Sequence, residues 1–253
     1  MIIDLNCDMG EMPSAIEDGT QEALLQWITS ANVACGGHAG DEASMVATID
    51  QALRANVAIG AHPGYADRKN FGRTALDIPL AEVTRLVFEQ VKWLAVIAER
   101  RGAVVTHVKP HGALYNQAVH NRALAEAIAR GVAKCNRDVV LVGLAGSPML
   151  EVFRNAGFAV AAEAFADRRY QPDGTLRARS FRDALIHAPS EAAQQALRIA
   201  TRGTVVASDG EEIAVHARTV CIHGDTPGAP DIAAAVSQAL RDAGVELRAL
   251  RSD

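Results

Sequence analysis

Six short stretches of this chain gather side chains that can move protons, hold metal ions or bind anions. They are Asp4-Leu-Asn-Cys-Asp-Met-Gly-Glu11, Ser30-Ala-Asn-Val-Ala-Cys-Gly-Gly-His-Ala-Gly-Asp41, Gly60-Ala-His-Pro-Gly-Tyr65, His107-Val-Lys-Pro-His-Gly-Ala-Leu-Tyr-Asn116, Glu163-Ala-Phe-Ala-Asp-Arg-Arg-Tyr170 and Cys221-Ile-His-Gly-Asp225. His38, His62, His107, His111 and His223 lie in them, and Gly or Pro flanks all but His107. Such flanks suit strand exits where the backbone passes close to a ligand. Imidazoles titrate near neutrality and shuttle protons, and the carboxylates Asp8, Glu11, Asp41, Glu163, Asp167 and Asp225 can accept them. Lys109, Arg68 and Arg168 can neutralise a substrate carboxylate or phosphate, although Arg68 and Arg168 read equally well as loop charges paired with Asp67 and Asp167. Asp8, His38 and His62 offer the donor types of an Asp-His-His metal centre, so a divalent metal stays open; their sequence spacing is too long to identify one. Cys7, Cys35 and Cys221 read as small buried hydrophobes rather than nucleophiles.

The elements that must position these groups follow from an alternation. Apolar, β-branched runs occur at Ile2–Leu5, Val33–Cys35, Val57–Ile59, Val104–Val108, Val139–Leu144, Ala159–Ala162 and Thr219–Ile222. Between them, Met45/Ile49/Leu53, Leu124/Ile128/Val132 and Ile232/Val236/Leu240 repeat every fourth residue, which places each trio on one helical stripe. Pro79–Arg101 is the longest predicted helix, and Ser147-Pro148 with Gly157 brackets another. Val205–Val215, with Ser208-Asp209-Gly210 at its centre, reads as an inserted hairpin. Apolar strands alternating with helices imply a parallel sheet covered on both faces. Polar residues keep one parity at the strand ends: Asp4, Asn6 and Asp8; Gly60 and His62; His107, Lys109 and His111; Glu163 and Asp167; His223 and Asp225. Functional groups arriving from many strand ends point to a closed barrel with its site on the C-terminal face, not to an open sheet with one switch point. The prediction is one irregular seven-stranded βα barrel, TIM-like, over residues 1–253.

Composition narrows the function. Hydrophobic residues make up 49% and charged residues 22%, which suits a folded globular chain. Lys and Arg number 25 against 30 Asp and Glu, for a net charge of −5, and no basic cluster stands out as a nucleic-acid surface. The start has no basic, apolar leader pattern, no run is long enough to span a bilayer, and the four cysteines show no paired spacing, so a cytoplasmic location without membrane partners is expected. Neither G-x-x-x-x-G-K-[ST] nor a strand-linked G-x-G-x-x-G occurs, so no recognised nucleotide cradle is visible.

Taken together and in order, the clusters resemble the LamB/YcsF family, with DLNCDMGE, HVKPHGALYN and FADRRY as the most specific strings. Departures from the family pattern are Gly37 in place of Phe, Ala66 in place of Pro and Ala164 in place of Val; Gly37 is expected to loosen the wall beside His38. The resemblance implies a barrel related to the glycoside hydrolase and polysaccharide deacetylase group. It also implies ATP-dependent opening of the 5-oxoproline lactam to L-glutamate by a 5-oxoprolinase, with ATP handled mainly by partner subunits B and C. On that footing Asp8 or His62 is the general base, His38 and His111 assist departure of the ring nitrogen, and Lys109 holds the carboxylate or phosphate. Asn6, Asn32, Arg68, His107, Asn116, Glu163, Asp167, Arg168, His223 and Asp225 form the expected substrate-binding set. Two other readings remain at this level: a metal-dependent N-deacetylase, and a non-catalytic substrate-binding subunit.

Overall fold

A computed structural model describes residues 1–251. Seven parallel strands close into a barrel: β1 (Ile2–Met9), β2 (Ser30–Ala34), β3 (Ala58–His62), β4 (Val105–Val108), β5 (Val140–Leu144), β6 (Ala159–Phe165) and, after a hairpin of β7 (Thr204–Val206) and β8 (Glu212–Ala214), β9 (Thr219–Ile222). β9 pairs with both β6 and β1, which closes the ring. A final two-residue strand, β10 (Glu246–Leu247), pairs with Ile2 and Ile3. The predicted hairpin is present, with Val205 opposite Ile213.

Around the barrel lie α1 (Pro13–Glu17), α2 (Thr20–Leu25), α3 (Glu42–Arg54), α4 (Leu80–Arg100), α5 (Gly112–His120), α6 (Arg122–Ala133), α7 (Pro148–Asn155), α8 (Pro189–Arg202) and α9 (Ala229–Asp242). The stripes Leu124/Ile128/Val132 and Ile232/Val236/Leu240 are buried as spaced, each side chain contributing ~1.5–3 kcal/mol. Met45 and Ile49 follow suit, but Leu53 lies exposed in the last turn of α3. Asp41 caps α3 by accepting from Ser44 N at 2.8 Å. Ser147 sits at the N-cap of α7, yet its hydroxyl donates to Leu144 O instead of capping. Gly157 follows α7 with φ +86°, the left-handed stop its position predicts. No helix among the described residues is long and apolar enough to cross a membrane.

Alternation along β1 separates two environments. Ile3, Leu5, Cys7 and Met9 face the helices, and Asp4, Asn6 and Asp8 face the barrel axis; all seven are buried. Barrel interiors of this kind are usually filled by branched aliphatics. Here only the β5–β6 side is apolar, where Val140, Val142 and Ala161 pack on Leu250 from the C-terminal tail. The opposite side is a hydrogen-bonded lattice. Asn32 donates to Asn6 Oδ1 (2.7 Å) and Asp8 Oδ1 (2.9 Å), His107 Nε2 to Asn32 Oδ1 (2.9 Å), and Asn6 to Thr219 Oγ1 (2.6 Å) and Glu163 Oε1 (3.2 Å). Gly60 makes room for this packing, because a Cβ there would stand 2.1 Å from His107 Nε2. These inward polar side chains make β1 and β6 longer than their apolar runs suggest.

Candidate active site

The C-terminal ends of the strands rim a cavity of about 450 Å³ lined by Asp8, His62, Lys109, His111, Tyr115, Asn116, Phe165, Arg168 and His223, with Arg73 and Arg179 also in its wall. Lys109 stands on its floor. Its Nζ lies 2.9 Å from both Asp8 Oδ1 and Glu163 Oε1 and 3.0 Å from Cys221 Sγ. Burial alone would discharge the ammonium, but Asp8, Cys221 and Glu163 raise its pKa well above the usual lysine range, so it stays cationic. Asp8 is held well below the usual carboxylate range: the charges of His62 and Lys109 overcome its burial. Lys109 is therefore a fixed charge at the bottom of the cavity, not the arm for a substrate carboxylate that its sequence context suggests.

Further cationic groups lie in the cavity wall. Arg168 is buried, donates through Nη2 to Arg177 O at 2.7 Å and leaves Nε without a protein partner. Burial and the neighbouring Arg179 pull its pKa down to about 10, still charged at neutral pH. Burial and Arg73 likewise lower Arg179. Arg73 reaches Asp225 at 2.6 Å. Nothing in the sequence marks Arg73 or Arg179, which lie in loops outside the six clusters.

On the β9 side, His223 and Asp167 form an oriented pair. His223 Nδ1 lies 2.9 Å from Asp167 Oδ1, while Asp167 Oδ2 accepts the His223 backbone N–H at 3.0 Å and the Thr226 hydroxyl at 3.1 Å. These donors, with His223 first, keep Asp167 ionised despite its burial. With Nδ1–H engaged, His223 presents Nε2 as its free nitrogen, and the ring lines the cavity stacked on Phe165 at 5.4 Å. The family resemblance implies substrate-binding roles for His223 and Asp167; their geometry is that of a base and its orienting carboxylate.

On the β2–β4 side three imidazoles meet one carboxylate. Gly10, at φ +72°, turns the chain after β1 and brings Glu11 over them. Glu11 Oε1 lies 2.9 Å from His38 Nε2, 3.3 Å from His111 Nδ1 and 3.8 Å from His62 Nε2, and His62 Nε2 is 3.0 Å from His111 Nδ1. His38 stacks on His111 at 3.6 Å. Burial lowers the pKa of both, well below the ordinary value for His111, and His38 and His62 depress His111 further. His62 is raised instead, because the Asp8 charge 3.3 Å away outweighs burial.

This changes the set of donors expected from the sequence. Glu11 and His111, not Asp8, share a centre with His38 and His62; Asp8 touches it only through His62 and groups otherwise with Cys221 and His223. Cys221 is buried in the core as expected, and its thiol also meets Lys109 Nζ at 3.0 Å on the inner side of the barrel. The parity it shares with His223, two residues on, is the signal that could have placed it there. Cys7 and Cys35 are buried in the apolar core as expected.

Other predicted residues fall outside the cavity. Arg68 is exposed and donates to Gly36 O at 3.4 Å and to Gly40 O, pinning the loop after β2. Asn6, Asn32 and His107 belong to the lattice beneath the floor, and burial followed by Lys109 lowers His107 to about 3. Glu163 holds Lys109 from below. Gly37 does not loosen its wall, because the Gln90 amide, bonded to both Gly64 O and Gly64 N, fills the space a Cβ would need.

Comparison with known proteins decides the relationship. The sequence profile of the LamB/YcsF family matches residues 3–253. The chain belongs to the LamB/YcsF family. Among its relatives, the 5-oxoprolinase A-subunit of Chloroflexus aggregans is 47% identical over 249 residues, covering 98% of this chain and 99% of that relative. The crystal structure of a lactam utilization protein from Thermus thermophilus superposes with a TM-score of 0.92 at 42% identity, covering 99% of this chain and all of that one. The polysaccharide deacetylase Bc1974 from Bacillus cereus, at TM-score 0.53 and 12% identity over 99% of this chain and 92% of that one, shares the fold alone.

Proposed function

We propose that this chain is the lactam-opening subunit of an ATP-dependent 5-oxoprolinase that converts 5-oxoproline to L-glutamate, acting with partner subunits B and C. The observation that carries the reading is the polarity of the cavity: a fixed ammonium on the floor, guanidinium groups in the wall and an oriented imidazole beside them. That arrangement suits a small cyclic amide bearing one carboxylate, and the relatives' names supply the same chemistry. Arg168, with its unpartnered Nε, and Arg179 bind the carboxylate. Lys109 faces the carbonyl carbon's oxygen and stabilises negative charge as it develops there.

A lactam carbonyl is resonance-stabilised, so activation by phosphorylation of its oxygen precedes attack. The sequence carries no phosphate-binding loop, and we assign ATP mainly to the partner subunits. Water then adds to the activated carbon. His223 Nε2, oriented by Asp167, takes one of its protons and returns it to the ring nitrogen as the carbon–nitrogen bond breaks. Breaking that bond leaves an acyl phosphate and the free amine; a second water then displaces phosphate from the acyl carbon, and glutamate is released with its new carboxylate. Asp8 keeps Lys109 charged throughout. We also assign the protein to the cytoplasm, where its four free thiols stay reduced.

The test is ATP-dependent glutamate formation from 5-oxoproline by the chain alone and with subunits B and C. Glutamate only from the full set supports the reading. No glutamate from the full set, each component folded, overturns it.

A further inference from the structure

His62 and His111 have their tautomers fixed by the backbone. His62 Nδ1 lies 2.7 Å from Lys109 O, and His111 Nε2 lies 2.9 Å from Phe71 O. A carbonyl oxygen only accepts, so each of those nitrogens carries its hydrogen, which leaves His62 Nε2 and His111 Nδ1 as lone-pair atoms in the neutral rings. These two lone pairs face each other at 3.0 Å. Glu11 Oε1 stands 3.3 Å from one and 3.8 Å from the other, and Asp8 Oδ2 is 3.3 Å from His62 Nε2. With both rings neutral, four acceptors converge in a buried place with no hydrogen among them. Such an arrangement is repulsive unless a cation lies in its midst.

From this geometry we infer a binding site for a first-row divalent transition-metal ion, of which Zn²⁺ is the type, held by Glu11 Oε1, His62 Nε2 and His111 Nδ1. The three edges of the donor triangle, 3.0, 3.3 and 3.8 Å, bracket the ~3.3 Å edge of a tetrahedron with arms of ~2.0–2.1 Å. Two imidazoles and a carboxylate are a donor set for zinc, iron or cobalt and not for magnesium or calcium. The backbone carbonyls that fix His62 and His111 are the outer partners that metal-bound histidines regularly have. His38 does the same for the acid: its Nε2 meets Glu11 at 2.9 Å while its ring stacks on His111. His62 and His111 also line the cavity, so the ion would add a Lewis acid beside the substrate.

The rival occupant is a proton shared between His62 and His111. Cobalt separates the two, because Co²⁺ in a low-coordinate nitrogen and oxygen site absorbs in the visible and a proton does not. The full chain, stripped with a chelator and dialysed, is titrated with Co²⁺, and Zn²⁺ is then added. One bound Co²⁺ per chain with visible bands, displaced by one equivalent of Zn²⁺ and weakened at least ~100-fold in both Glu11→Gln and His111→Asn, supports the site. Wild-type protein with native circular dichroism that shows no bands and retains no stoichiometric Zn²⁺ overturns it, as does binding that survives both substitutions. This readout is independent of the lactam reading. Glutamate formation by a metal-free, metal-refusing chain refutes the site alone, and tight metal binding by a chain inactive with its partners refutes the lactam reading alone.

Discussion

Protonating His107 should be one of the costliest things acid does to this barrel. The ring is buried over Gly60, its Nε2 donates to Asn32, and the Thr106 hydroxyl meets its Nδ1 at 3.0 Å. Burial, then the nearby charges of Lys109 and His62, hold its pKa at about 3 against an ordinary 6.5. A depressed histidine contributes its stability in full above pH 6.5 and loses it as the pH falls toward 3, because the unfolded chain takes up the proton first. Each pH unit in that window favours unfolding by ~1.4 kcal/mol, so at pH 5 this one residue removes ~2 kcal/mol. His107→Gln replaces the ring by an amide that does not titrate. Urea unfolding at pH 7.5 and pH 5.0 measures the fall in stability for each protein against itself, so any packing defect of the variant cancels. The wild type should lose ~2 kcal/mol more than the variant over this interval. Equal falls, with equal denaturant slopes, would refute the placement of a neutral histidine beneath the cavity floor.

Lys109→Met leaves Asp8 and Glu163 buried without their shared cation; it should cost ~3–5 kcal/mol in urea unfolding and remove coupled glutamate formation, and full turnover would exclude Lys109 from the chemistry. Gly60→Ala forces a methyl to within 2.1 Å of His107 Nε2; a loss of ~1–3 kcal/mol, or ~2–4 °C per kcal/mol in the thermal midpoint, is expected by calorimetry, and an unchanged midpoint would contradict the packing. Asp167→Asn should lower kcat of the assembled enzyme ~10²-fold or more with KM little changed, since it frees the His223 ring without touching the guanidinium groups; steady-state kinetics check this, and an unaltered kcat would remove the pair from proton transfer.

The barrel was legible because its outward residues are apolar and its strand ends keep one parity. Asp4, Asn6 and Asp8 carried both signals at once: they interrupted the apolar run that marks β1, yet their spacing of two placed them on one face. That is why the position of β1 was readable and its length was not. β10 spans two residues, too few for any periodicity to appear. Within the site, residue types and strand ends were readable, but roles were not. Whether Lys109 reaches a substrate or is clamped by Asp8 and Glu163 depends on contacts more than fifty residues apart in sequence. Arg73 and Arg179 come from loops whose conformation no pattern encodes, and Glu11 joins the histidines only because Gly10 turns the chain back.

The two ends of the chain also meet in one strand. Along a single edge of β1, Ile2 and Ile3 pair with Glu246 and Leu247, and Asp4 to Cys7 pair with Thr219 to Ile222. On the ribosome β1 therefore waits until Leu247 has been made before that edge is fully covered. At roughly 5–20 residues per second the wait lasts some tens of seconds. Throughout it an apolar-faced strand has open backbone groups, a condition that invites pairing with another nascent chain. β10 and Leu250, made long after β1, seal the strand edge and the inner face of the barrel together. Slower translation should thus lengthen the time this edge stands open, and with it the chance of pairing with another chain.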